Sequence, residues 1–125
     1  MDLATVLWLH KGVGNAAPLF MVLVSLISFI NYFRGLGLDG NVIGAVVVGE
    51  IMMLTQASLG IILLVLGLWP GGWGIHFLYG SLSVLFFPAL WAYTRGATDR
   101  RASLVWAVGG LFMMGLTLRA IGTAG

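Results

Sequence analysis

The chain has no cysteine among its 125 residues. Disulfides, thiolate-held iron–sulfur or zinc centres, and haem attached covalently through Cys-x-x-Cys-His are therefore excluded, and cysteine usage says nothing of redox compartment. Charge is almost as scarce. Asp, Glu, Lys and Arg make up 8% of the residues, against about a quarter in an ordinary soluble domain. With 60% hydrophobic residues, a water-soluble globular fold is excluded and an integral membrane protein is expected. The isoelectric point near 9.5 does not indicate nucleic acid, because six basic residues set against four acidic ones form no basic face. The N-terminus lacks a basic n-region and a small-residue cleavage site, so its apolar segment is read as a retained helix.

What the sequence does have is long apolar runs, at about residues 4–33, 42–69, 74–94 and 102–121. Each reaches the roughly 20 residues that a spanning helix needs. None alternates in the way a barrel strand would, so the expectation is one all-α domain over residues 1–125 with four transmembrane helices. The separators read as turns: Arg34 to Gly40, Pro70-Gly71-Gly72, and Arg95 to Arg101. Such short connections predict an up-down-up-down bundle. Arg34 in the first connection and Arg95, Arg100 and Arg101 in the third place both on the cytoplasmic side, with the two termini outside. Trp8, Trp69 and Trp73 then fall near the outer interface, and Tyr32, Trp91 and Tyr93 near the inner one. The expected location is the plasma membrane of a prokaryote.

Only two histidines are present, in Leu9-His10-Lys11-Gly12-Val13-Gly14 and Trp73-Gly74-Ile75-His76-Phe77-Leu78-Tyr79-Gly80. Each has a glycine four residues later, Gly14 and Gly80, which suggests a surface bare of side chains beside each imidazole. The segments ending Tyr32-Phe33-Arg34-Gly35 and Tyr93-Thr94-Arg95-Gly96 extend this echo, and helices 2 and 4 repeat it more faintly. A 2+2 internal repeat would set the histidines across the bundle from one another, both near the outer face. Two imidazoles so placed suit the axial ligation of one haem iron; the alternative is a pair of interfacial histidines with polar partners. Counting from the inner ends leaves the two histidines about 7 Å apart in depth, whereas counting from Trp8 and Trp73 makes them level.

Lys11 and Arg119 are the cations available for haem propionates, and Tyr79 lies within reach of a polar group; for Arg119 the alternative is snorkelling to the interface. Glu50 is the single acid inside a span, a candidate proton or cation relay or a neutral carboxyl bonded to Asn31, Ser or Thr on a neighbouring helix. Gln56 is placed toward the histidines, as a partner for a histidine nitrogen or a cofactor edge, or as interhelical glue. About 240° separates it from Glu50 around the helix, so the two line different sites. Met52-Met53 and Met113-Met114 are read as packing. Gly44, Gly49, Gly60, Gly109, Gly110 and Gly115 are read as points of close helix approach.

The order His10-Lys11-Gly12-Val13-Gly14, then Gln56-Ala57-Ser58-Leu59-Gly60, then His76 resembles one half of haem A synthase. It is similar more loosely to small four-helix membrane b-type cytochromes. The resemblance covers about residues 7–80 and implies a four-helix bundle with His10 and His76 as axial ligands of one haem. Two departures stand out: Leu7 occupies the position of the family's acidic residue one turn before the first histidine, and the family's cysteine-bearing outer loop has no counterpart. Both argue against hydroxylating chemistry, which leaves an electron carrier rather than an enzyme in its own right. The expected function is thus a b-type haem protein for electron transfer, or a haem-carrying subunit of a larger respiratory or redox membrane complex, with a quinone or a second copy of the chain as further candidate partners. The alternatives are a small proton- or ion-coupled transporter centred on Glu50, and a non-catalytic assembly subunit.

Overall fold

Three of the four acidic residues serve to start helices. In the computed structural model, which describes residues 2–124, Asp2 Oδ1 accepts the Thr5 N–H at 2.9 Å, Asp39 Oδ1 accepts that of Val42 at 3.0 Å, and Asp99 Oδ1 accepts that of Ala102 at 3.0 Å. Each carboxylate satisfies an amide that the first helical turn leaves without a partner. The helices so begun are α1 (Leu3–Phe33), α2 (Gly40–Val65) and α4 (Arg100–Ala124). The remaining helix, α3 (Trp73–Tyr93), follows Gly72 and has no side-chain cap. Its entry is tied to the end of α4 instead, because the Gly71 and Gly72 amides donate to the Ala124 and Thr123 carbonyls at 3.1 and 3.0 Å. All four helices are long and apolar enough to cross a membrane, and no strand occurs among the described residues. The protein is an all-α bundle of four membrane-spanning helices.

Helix ends differ most from expectation at α2, which stops at Val65 rather than Trp69. Gly67 takes φ +92°, and the Gly67 and Leu68 amides donate to the Leu64 and Leu63 carbonyls at 3.0 and 2.9 Å, the Schellman arrangement that ends a helix at glycine. The same pattern ends α1 at Gly35 (φ +74°). In α3 the corresponding left-handed residue is Arg95 (φ 53°), so the echo between Arg34-Gly35 and Arg95-Gly96 slips by one residue at the helix ends. α4 is longer than expected, by two residues at its start and three at its end.

The hairpins α1–α2 and α3–α4 pack to a similar extent, but the two seams between them do not. α1 and α4 make the closest approach, α2 and α3 the least, and α1 and α3 stand diagonally across the bundle. The α1–α4 seam is built from small residues, as apolar solvent requires when helices associate by contact rather than by exclusion of water. A Cβ on Gly110 would lie 2.9 Å from Ser25 N and 3.1 Å from Met21 O, both backbone atoms. Beside it the Ser25 hydroxyl donates to Ala107 O at 2.7 Å. At the arginine-bearing end, Arg100 Nε donates to Tyr32 O at 2.9 Å, with its guanidinium 4.1 Å from the Tyr32 ring centre. Leu38 N–H donates to Thr98 O at 3.0 Å, joining the first and third connections.

Gly49, Gly60, Gly109 and Gly110 are points of close approach as expected, but Gly44 and Gly115 face open space. Met53 and Met113 are fully buried in the core. Trp8, Trp69, Trp73 and Tyr93 are exposed on the outer surface of the bundle, where lipid headgroups would meet them.

Candidate functional site

The two histidines meet. Their ring centres are 6.4 Å apart and the rings are inclined at 70°, with both side chains half-buried. His10 comes from the diagonal helix α1 and His76 from the first turn of α3. The depth offset counted from the inner ends is absorbed by helix length: α1 runs on from His10 to Phe33, and α3 only from His76 to Tyr93, a difference of about 9 Å of helix.

Each imidazole is held by a backbone carbonyl of the next helix in its own hairpin. His10 Nδ1 lies 3.2 Å from Gln56 O on α2, and His76 Nδ1 lies 2.8 Å from Ala120 O on α4. A carbonyl only accepts, so the proton of each neutral ring sits on Nδ1 and Nε2 keeps its lone pair. Thr123 Oγ1 is a further neighbour of His76 Nδ1 at 3.2 Å. Each hairpin thus holds its histidine by a main-chain carbonyl of its second helix.

Gln56 takes part through both ends. Its carbonyl accepts from His10, and its side-chain Nε2 donates to His10 O at 2.7 Å. Its Oε1 is buried without a partner. A histidine nitrogen does bond this residue, as expected, but at the main chain rather than the side chain.

The glycine expectation is corrected. A Cβ on Gly14 would be 2.8 Å from Gln56 Nε2, so Gly14 makes room for the glutamine amide, and Gly80 has nothing within 4 Å. The glycine lying against an imidazole is Gly60 on α2, where a Cβ would come 3.2 Å from His10 Cε1. The physical reason is that helical side chains lean toward the N-terminus, over the turn before them and away from position i+4.

Lys11 is exposed on α1, next to His10. Arg119 is exposed too, and it lines a surface groove of about 440 Å³ with Gly115, Leu118, Gly122 and Thr123. Thr123 joins that groove to His76. Tyr79 is half-buried and packs against the main core, and its carbonyl accepts from Ser83 Oγ at 2.7 Å. Leu7, at the position of the missing acid, packs with Val6, Leu59 and Leu63 in a small apolar cluster.

Glu50 belongs elsewhere. It lines a cleft between α2 and α3 with Phe87, Pro88, Trp91 and Trp106, and its Oε1 is buried with no partner. Asn31, a partner foreseen for it, donates instead to Gly37 O at 3.1 Å. Sequence pattern gave no sign of Trp106, whose ring is wholly buried while its Nε1 lacks an acceptor.

No group of three or more His, Cys, Asp or Glu residues suited to a bare metal ion occurs among the described residues. Compared with known proteins, the chain matches no family model, no curated protein and no solved structure.

Proposed function

We propose that this chain is a membrane b-type haem protein in which His10 and His76 are the axial ligands of one iron, acting in electron transfer or as the haem-carrying subunit of a larger membrane complex. The observation that carries the reading is the spacing and polarity of the histidine pair. Two half-buried imidazoles with ring centres 6.4 Å apart are near enough to serve one iron. Both Nδ1 atoms face carbonyls, the outer-shell arrangement that fixes the tautomer and raises the basicity of the ligating nitrogen.

A pair of histidines without a third protein ligand suits a macrocycle better than a bare ion, since the ring brings its own four donors. The residues fit such a group in other ways. Gly60 leaves the His10 ring unobstructed, and Gly80 opens onto free space beside α3. Arg119, through its groove beside Thr123, is the better placed of the two cations to pair with a propionate, with Lys11 available on α1. Haem bound here would supply reversible one-electron chemistry. The protein's part is to hold the two imidazoles, keep their tautomer and limit access of water. With the arginine-bearing connections toward the cytoplasm, the site would lie near the outer face of a prokaryotic plasma membrane.

An absorbance spectrum of detergent-purified protein, before and after dithionite, tests the reading. A Soret band with sharp reduced α and β bands is expected in the parent, and its loss in His10→Ala and His76→Ala. A parent protein that takes up no haem on reconstitution, or a spectrum unchanged in both variants, would sink it.

A further inference from the structure

The outward side of α1 carries an unbroken ridge: Gly12, Asn15, Leu19, Leu23, Leu26 and Ile30, spaced three or four apart, are all exposed. Such spacing turns one side of a helix the same way over five turns. Contact with lipid tails accounts for five of the six. The other is an amide. Asn15 lies seven residues, about 10 Å, inside Trp8 and eighteen, about 27 Å, from Phe33, which keeps it within the roughly 30 Å hydrocarbon layer. Lipid tails have no donor or acceptor for its two N–H bonds and its carbonyl. Asn15 is also turned about 140° round the helix from His10, and the side-chain bonds of this part of α1 run between His10 and Gln56 without reaching it. A hydroxyl on such a face has a local remedy, since Ser58, exposed on α2, donates to Leu54 O of its own helix at 2.8 Å. Asn15 makes no such bond among the described residues.

We infer that this ridge is the interface of a parallel homodimer, two copies of the chain packed α1 against α1 with Asn15 beside a two-fold axis along the membrane normal. Membrane insertion selects a second copy among the possible occupants. Every copy crosses the bilayer in the same direction and to the same depth, so a two-fold axis sets Asn15 of one copy opposite Asn15 of the other. A carboxamide is its own complement: an N–H of each meets the carbonyl of the other, and one contact matches both amides. A lipid would cover the face and leave the amide unmatched, and an unrelated helix would need a polar group at that same depth. Close approach is open on this side. A Cβ on Gly12 would meet nothing within 4 Å, and Gly12 with the exposed Ala16 lowers the surface beside Asn15 so that two backbones can come together. Farther in, the leucines and Ile30 interdigitate, with Asn15 as the single polar position that fixes the register. The dimer leaves the histidine pair on the other side of α1 and needs no haem.

Energy transfer between donor-labelled and acceptor-labelled full chain in phosphatidylcholine vesicles, diluted stepwise with lipid, measures the association. A dimer is expected in the parent, weakened about 5- to 30-fold in Asn15→Leu and tenfold or more in Gly12→Ile, whereas Asn15→Gln keeps the amide and is expected to stay dimeric. Circular dichroism reports folding, which is expected to be unchanged because both positions face lipid. Since the chain has no cysteine, single-cysteine variants show independently which faces meet. Mild oxidation is expected to join Leu19→Cys into dimers and to leave Ile61→Cys on α2 and Leu78→Cys on α3, both also exposed, as monomers. A chain that is monomeric at every dilution, association unchanged in Asn15→Leu, or cross-linking through Ile61→Cys or Leu78→Cys in preference to Leu19→Cys would overturn the assignment. Haem uptake by a monomeric chain removes this inference alone.

Discussion

On the proposed haem site, Gly60→Ala is expected to weaken haem retention, and Gly80→Ala is not. An alanine at 60 would bring its Cβ 3.2 Å from His10 Cε1, inside the roughly 3.5 Å at which carbon atoms ordinarily begin to attract. The imidazole must then give way by a few tenths of an ångström. It is not free to do so at no cost, because Nδ1 is tied to Gln56 O at 3.2 Å. Turning the ring about 30° from its preferred rotamer costs about 0.5–1.5 kcal/mol, which corresponds to an affinity lower by about 2- to 13-fold. At Gly80 nothing lies within 4 Å, so the added methyl has nothing to displace. Both substitutions raise helix propensity by a similar amount, and that gain cancels in the comparison. The assay is the rate of haem transfer from each reconstituted variant to an excess of apomyoglobin, with Gly60→Leu as the more severe case. Haem held as tightly by Gly60→Ala as by the parent, or lost as readily from Gly80→Ala, would refute the placement of the ring against α2.

The remaining predictions concern the seams and the caps. Gly110→Ala is expected to destabilise the bundle by about 1–3 kcal/mol, the usual cost of overpacking, since its Cβ would meet Ser25 and Met21 backbone atoms, whereas Gly115→Ala, which meets nothing, is expected to be neutral or mildly stabilising; unfolding in mixed SDS micelles followed by circular dichroism compares them. Gln56→Ala is expected to keep the haem spectrum and lose no more than about 1.5 kcal/mol of stability, because the bond that orients His10 is made by the Gln56 main-chain carbonyl; loss of the Soret band would show that the side chain is the essential part. Asp39, bonded by the Val42 amide, is held below the ordinary carboxylate value of 3.8, and Asp2 is held below it by the side chain and amide of Thr5. A carboxylate lowered by folding lends stability above its unfolded pKa and loses it as pH falls through the folded one, so stability is expected to decline below about pH 4. In Asp39→Asn, which still caps but does not titrate, thermal scans between pH 6 and pH 3 are expected to show a smaller decline.

The number of helices, their class and most of their ends were legible because hydrophobic length, arginine placement and glycine turns are local signals. Asp2, Asp39 and Asp99 mark helix starts by chemistry that a sequence displays directly. The end of α2 was misread since Leu68 and Trp69 are as apolar as the span before them, and only the left-handed geometry available to Gly67 halts the helix. The site divided along the same line. That His10 and His76 share one end of the bundle follows from topology, but which atoms touch them depends on how far α1 and α2 interleave, and Gly60 replaced Gly14 and Gly80 for that reason. Side-chain lean alone would have removed Gly14 from the argument, because it is a fixed property of any helix. Trp106 shows the limit from the other side. No local pattern marks it, and its burial comes from both neighbours of α4: Gly110 lies against the Ser25 backbone of α1, and Phe87 and Trp91 of α3 stand 5.3 and 6.2 Å from the indole, whose N–H is left without an acceptor. The packing that holds the histidine end together by α4 thereby also creates the unsatisfied donor in the opposite half of the bundle.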